Sequence, residues 1–169
     1  MAKFSELQKR LLTALVAVPL LILCFWEGTW SLLLLITPVT MFGVHEFFNL
    51  QEKKGIPAFK GIGIVAALGL NLTAYAYGLE GAAMFIAMLS LLLVLSTILG
   101  PYQETALQRI AGTLFPQGYV VLLMSHFYFL RQKQMAFDLT SLPIPDGFVF
   151  LMLVVGLTFL NDTGSYFGG

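Results

Sequence analysis

Charge is what this chain has least of. Only 11% of its 169 residues are Asp, Glu, Lys or Arg, while 58% are hydrophobic. A soluble domain carries about 25% charged residues, so that composition, with a mean hydropathy of +0.86, excludes an ordinary soluble domain. Nine basic and nine acidic residues leave no net charge, and nothing in that balance favours a nucleic-acid partner. The single cysteine, Cys24, excludes an internal disulfide framework and a Cys-based zinc site. The two histidines, His45 and His126, are too few and too far apart in sequence for a His-rich metal site. Internal repeats and low-complexity tracts are also absent.

Long apolar runs are what the chain has in abundance. A helix of about 20 mostly apolar residues crosses a bilayer. Runs at about 11–26, 30–50, 61–79, 82–100, 114–131 and 147–167 therefore predict an all-α fold. The expectation is a polytopic membrane helix bundle of about six transmembrane helices, forming a single transmembrane domain over 1–169. Pro19 and Pro38 would kink the first two spans and Pro116 opens the fifth; neighbouring helices can re-satisfy the backbone groups that prolines free. Segment 101–113 is mixed in polarity and reads as an interfacial helix or as the loop before the fifth span. Segment 132–146, with Asp138, Pro143, Pro145, Asp146 and Gly147, reads as a turn-rich loop. Lys9-Arg10 followed by Leu11 to Phe25 has the outline of a signal peptide. No convincing cleavage site closes that apolar region, and more apolar runs follow, so it is read as the first span.

Orientation follows from Lys and Arg, which concentrate on the cytoplasmic side. With the N-terminus inside, that side holds Lys3, Lys9, Arg10, Lys53, Lys54, Lys60 and Arg109, and the other holds Arg131 and Lys133. The sixth span then ends at the cytoplasmic face, where Asn161-Asp162-Thr163-Gly164 interrupts an apolar run from Phe148 to Leu160. That run is about 20 Å long at 1.5 Å per residue, against a hydrocarbon core of about 30 Å. Asp162 is thereby expected inside the inner leaflet, where an ionisable residue is by default a functional candidate.

Asn161, Asp162 and Thr163 supply an amide, a carboxylate and a hydroxyl within one helical turn. Asp162, Ser165 and Tyr166 share a face by their spacing. A hard cation such as Mg²⁺ takes oxygen ligands of this kind together with phosphates and water. The opposing reading is a helix end whose polar residues are simply solvated. Glu46, near the end of the second span, is the other intramembrane acid on that side; it serves a site or pairs with Lys53, Lys54 or Lys60. His45 reads as a polar residue satisfied between helices and His126 as an interfacial one. Asn71 and Thr73 are expected to hydrogen-bond across helices. Gly61, Gly63 and Gly69 read as close helix packing, and Trp26 and Trp30 as residues of the interfacial belt.

Four stretches together resemble the phosphatidate cytidylyltransferases, also called CDP-diacylglycerol synthases. They are Leu7-Gln8-Lys9-Arg10-Leu11-Leu12-Thr13-Ala14-Leu15 with Pro19, His45-Glu46-Phe47-Phe48-Asn49-Leu50, Gly112-Thr113-Leu114-Phe115 with Tyr119, and Asn161-Asp162-Thr163-Gly164-Ser165-Tyr166-Phe167-Gly168. The last is the most specific. The resemblance implies an integral inner-membrane enzyme, N-terminus cytoplasmic, that joins CTP and phosphatidic acid into CDP-diacylglycerol and diphosphate with Mg²⁺. Membrane lipids would be its partners, nucleic acid would not, and a homodimer is an allowed assembly. It implies catalytic roles for Asp162, Asn161 and Glu46, substrate contacts from Thr163, Ser165 and Tyr166, and metal ligation by Asp162. Family members carry further Lys-Asp, His-Gly-Gly and Asp-Arg-x-Asp segments, which this sequence does not contain. It therefore resembles the N-terminal part of the enzyme, and the 169-residue chain is expected to be inactive alone. Competing readings are a CTP-dependent lipid kinase, a non-enzymatic membrane scaffold and, least favoured by the one-sided polarity, a small transporter.

Overall fold

The computed structural model describes residues 6–28, 30–132 and 144–168, with side chains for 15–28, 30–132, 144–165 and 168. Lys3, Lys133, Asp138 and Pro143 lie outside the described residues, as do the side chains of Lys9, Arg10 and Tyr166. All regular structure among the described residues is helical: α1 Glu6–Glu27, α2 Trp30–Lys53, α3 Lys60–Leu99, α4 Ala106–Pro116, α5 Leu123–Arg131 and α6 Asp146–Gly168. A short 3₁₀ turn, Gln103–Thr105, leads into α4, and a π-helical turn, Gln117–Leu122, joins α4 to α5. Segment 101–113 is thus neither a separate interfacial helix nor a loop; most of it is the first part of one continuous helical run.

Among the described residues four helices are long and apolar enough to cross a membrane: Trp30–Lys53, Lys60–Leu99, Gln103–Arg131 and Asp146–Ser165. Leu15–Glu27 is the apolar part of α1 whose side chains are described. The third and fourth apolar runs form one element, α3, with no loop between them. At 40 residues, α3 would measure about 60 Å if straight, twice the hydrocarbon thickness. It is not straight. Gly78 has φ 66° and ψ −153°, a conformation that only glycine adopts readily. The arms on either side fold back on each other: Ala66 packs with Leu89 and Leu93, and Gly69 meets the Phe85 ring.

The chain divides into two compact units, residues 1–32 with 130–169, and residues 33–129. In the second unit the core comprises Val44 and Phe48 of α2, Ala67, Leu70, Ala74 and Ala82 of α3, and Val121 of the π turn. Small residues along α3 let the neighbouring backbone approach, as at membrane helix interfaces generally. Gly63 lies directly under the Phe48 ring and Gly69 under Phe85, while Gly61 faces open space. Asn71 donates to Thr37 Oγ1 at 2.7 Å and accepts from Tyr128 OH at 3.2 Å, tying α2, α3 and α5 together as expected. Thr73 differs from expectation: its hydroxyl donates to the Gly69 carbonyl of its own helix, which uses its only donor.

In the first unit α1 packs on α6. Trp26 meets Phe148 edge-on with ring centroids 5.2 Å apart, and Phe25 and Leu151 are fully buried. Gly28, at φ +78°, closes α1. Arg131 lies beside it, its Nε donating to Phe25 O and its Nη2 to Trp26 O, both at 3.2 Å. A cation is thereby placed on the negative end of the helix. Large apolar side chains elsewhere face outward, among them Val65 (73% exposed), Met88 (71%) and Leu107 (80%), which suits a hydrocarbon surrounding.

Candidate functional site

Polar chemistry gathers where α2 ends. Its apolar run stops at Leu50, and Gln51-Glu52-Lys53-Lys54-Gly55 follows. Gly55, at φ +69°, terminates the helix, with Gly55 N–H bonded to Glu52 O at 3.0 Å and Ile56 N–H to Gln51 O at 2.9 Å. This is how a left-handed glycine satisfies the last carbonyls of a helix. Ile56 to Phe59 then lead into α3.

That connection is held by α4. Gln51, 7% exposed, donates from Nε2 to Gly112 O at 3.0 Å. Phe59 N–H donates to Thr113 Oγ1 at 2.9 Å, and the same hydroxyl donates to Arg109 O at 2.7 Å. A β-carbon on Gly112 would stand 2.7 Å from Pro57 O, so only glycine lets α4 approach so closely. The Gly112-Thr113 pair therefore works as a clasp on the α2–α3 connection.

Two cations converge there. Lys60 Nζ donates to Asn49 Oδ1 at 2.9 Å and pairs with Glu52 Oε2 at 2.8 Å. The Arg109 guanidinium stands over Tyr102, 4.5 Å from its ring centroid, and over Phe59 at 5.6 Å. Its Nε donates to Thr105 Oγ1 at 3.0 Å. Lys60, Arg109, Gln51, Glu52 and the 55–58 connection enclose a cavity of about 310 Å³. A second cavity, about 600 Å³, is formed by Gly100 to Thr105 and shares Arg109. Cationic donors in a partly enclosed cavity attract anions, above all planar or tetrahedral oxyanions.

The residues singled out from sequence fall elsewhere. Asn161, Asp162, Thr163 and Ser165 are exposed along the last turns of α6, and Ser165 Oγ donates to the Asp162 carbonyl at 2.9 Å. Glu46 and His45 are exposed on α2. Asp162 belongs to the first unit and Glu46 to the second. His126 is exposed on α5, its Nδ1 2.8 Å from Leu122 O and its ring edge-on to Phe129.

Gln51, Lys60, Arg109 and Thr113 escaped notice as a group because they are far apart in the chain. The available signal was two cations flanking apolar runs, with a Gly-Thr pair between the second cation and the next run. Gln117 was also missed. It follows Pro116 in the π turn, is 1% exposed, and donates to Gly63 O at 2.8 Å. A π turn is rare and recurs at functional positions.

Residues 8–169 match the sequence model of the Cytidylyltransferase family. No curated protein and no solved structure matches the chain.

Proposed function

The chain belongs to the cytidylyltransferase family, and on that premise we propose that its acceptor is phosphatidate and its product CDP-diacylglycerol. The observation that carries this reading is family membership across residues 8–169 in a chain whose helices are long and apolar enough to cross a membrane. A CTP-using transferase built mostly of apolar helix is suited to an acceptor that stays in the bilayer. Phosphatidate offers the nucleophile such a transfer needs, a terminal phosphate oxygen at the membrane surface. That oxygen attacks the α-phosphorus of CTP and forms a new P–O–P linkage. The bond from the α-phosphorus to its bridging oxygen breaks, and the electron pair leaves with diphosphate. The charge bias of the connecting segments favours the cytoplasmic face of an inner membrane, where CTP is available.

Among the described residues no group of three or more His, Cys, Asp or Glu is placed to hold a metal ion. Mg²⁺ does not require one: it keeps several waters and binds through one or two carboxylates plus substrate phosphates. The exposed carboxylate of Asp162 suits that partial role, with Asn161 and Thr163 as neighbouring oxygen donors. When bound, Mg²⁺ neutralises phosphate charge. Ser165, whose hydroxyl is turned back to the Asp162 carbonyl, helps fix the last turn of α6, and Glu46 stands as a separate acid on α2.

The test is turnover of CTP with phosphatidate vesicles, using CTP labelled either on its α- or on its γ-phosphate. The assay is run on the 169-residue chain and on a version continued by the C-terminal segments seen in family members. Label from the α-phosphate in the lipid fraction supports cytidylyl transfer, and label from the γ-phosphate supports a lipid kinase instead. Activity confined to the longer version supports the view that those segments carry chemistry; full activity of the 169-residue chain refutes it.

A further inference from the structure

We propose that the cavity between Gln51, Lys60 and Arg109 is a binding subsite for a phosphate ester. The inference rests on the charge and geometry of the 33–129 unit and not on the reaction assigned above. An ammonium has three N–H donors and a guanidinium five. Lys60 gives two of its three, to Asn49 and Glu52. Arg109 gives only its Nε–H, to Thr105, so the four N–H groups of its two terminal nitrogens have no hydrogen-bond partner among the described residues. Its plane is nevertheless fixed by Tyr102 and Phe59, which lowers the entropy lost when those donors engage a ligand.

The surroundings reinforce the sign of charge. Lys60 is the first residue of α3, and Phe59, which precedes it, provides no side-chain cap. The first N–H groups of a long helix and its positive end therefore lie beside the two cations. Among the described residues Glu52 is the one carboxylate lining this cavity, and it is engaged with Lys60 at 2.8 Å; Glu104 lines the adjoining cavity that shares Arg109. Gln51 belongs to the same wall. Its Nε2 is committed to Gly112 O, which fixes the amide orientation; its Oε1 is an acceptor, so Gln51 shapes the wall and the donors to an oxyanion come from Lys60 and Arg109. At about 310 Å³ the cavity is roomy for one phosphate and its ester substituent.

The phosphate could belong to a soluble nucleotide or to a lipid headgroup, because the donors read only the shared oxyanion. The chain in neutral-detergent micelles is titrated calorimetrically with CTP and, separately, with micelles carrying phosphatidate, with phosphatidylcholine as reference. Lys60→Gln, Arg109→Gln and Arg109→Lys are compared, each checked by near-ultraviolet circular dichroism. We expect CTP or phosphatidate to bind, and Lys60→Gln and Arg109→Gln each to weaken that ligand by about tenfold, the equivalent of ~1.4 kcal/mol. Arg109→Lys should fall between. The ligand whose binding responds identifies the source. Absence of binding by both ligands, or folded variants that bind within about twofold of the parent, overturns the subsite. If Arg109→Gln disturbs the fold, Lys60→Gln decides, since its ion-pair partner Glu52 is exposed. Binding is read without turnover, so a subsite that binds stands whether or not the 169-residue chain transfers cytidylyl groups, and failure of the longer version to transfer them would refute the reaction alone.

Discussion

Replacing Asn71 by Ala should loosen the 33–129 unit more than any single apolar truncation of similar size at its surface. Asn71 is fully buried and makes two interhelical hydrogen bonds, 2.7 Å to Thr37 and 3.2 Å from Tyr128. Interhelical hydrogen bonds in membrane proteins average roughly 0.6 kcal/mol each, so their direct loss amounts to about 1.2 kcal/mol. The buried Tyr128 hydroxyl (residue 2% exposed) keeps Thr37 as a second partner, so no penalty for an unpaired group is added. The expected total is therefore about 1.2 kcal/mol. Tyr128→Phe leaves the Asn71–Thr37 bond in place and should cost about 0.6 kcal/mol. Asn71→Leu restores the lost volume and should recover part of the difference. The assay is reversible unfolding in mixed dodecyl maltoside and dodecyl sulfate micelles, followed by circular dichroism. The double mutant should show a coupling near the cost of Tyr128→Phe. Strict additivity of the two changes, or an Asn71→Ala variant as stable as the parent, would refute the network as a source of stability.

Other changes test separate parts of the structure. Gly112→Ala places a β-carbon 2.7 Å from a backbone oxygen that cannot swing away; it should destabilise by about 1–3 kcal/mol, read as a lowered melting temperature. Arg131→Ala removes both donors from the end of α1 and should cost about 1 kcal/mol, with Arg131→Lys recovering part of it. Under the proposed function, Asp162→Asn in a complete protein should cut lipid-dependent turnover by about 10²-fold with circular dichroism unchanged; unaltered turnover would refute a catalytic or metal-binding role for Asp162.

Hydropathy made the helices legible because lipid tolerates no unpaired backbone, so each apolar run had to be helical. It also placed the break between the third and fourth runs at 80–81, beside the reversal at Gly78, without fixing the residue. Gly78 and Gly81 are both plausible turning points in Tyr77-Gly78-Leu79-Glu80-Gly81, and no polar loop marks the choice. Asn71 was readable because an amide in an apolar run must find partners elsewhere. Thr73 was not, since its hydroxyl can turn to a carbonyl one turn back. Asp162 stood out as a lone charge after Leu160. Gln51, Lys60, Arg109 and Thr113 are each ordinary as single residues near helix ends. Their meaning comes from α4 closing on the 56–59 connection, a long-range contact that no local pattern encodes.

The reversal at Gly78 also makes α3 a ruler. Because its arms run back along each other, Phe59 before the first arm and Tyr102 after the second meet edge-on, with ring centroids 5.4 Å apart, and together frame Arg109. An α-helix turns about 100° per residue at 3.6 residues per turn. One residue added to either arm would rotate one ring away from the other while leaving every apolar run intact. Arm length, invisible to any measure of hydrophobicity, is thus under the same constraint as the identity of the residues it aligns.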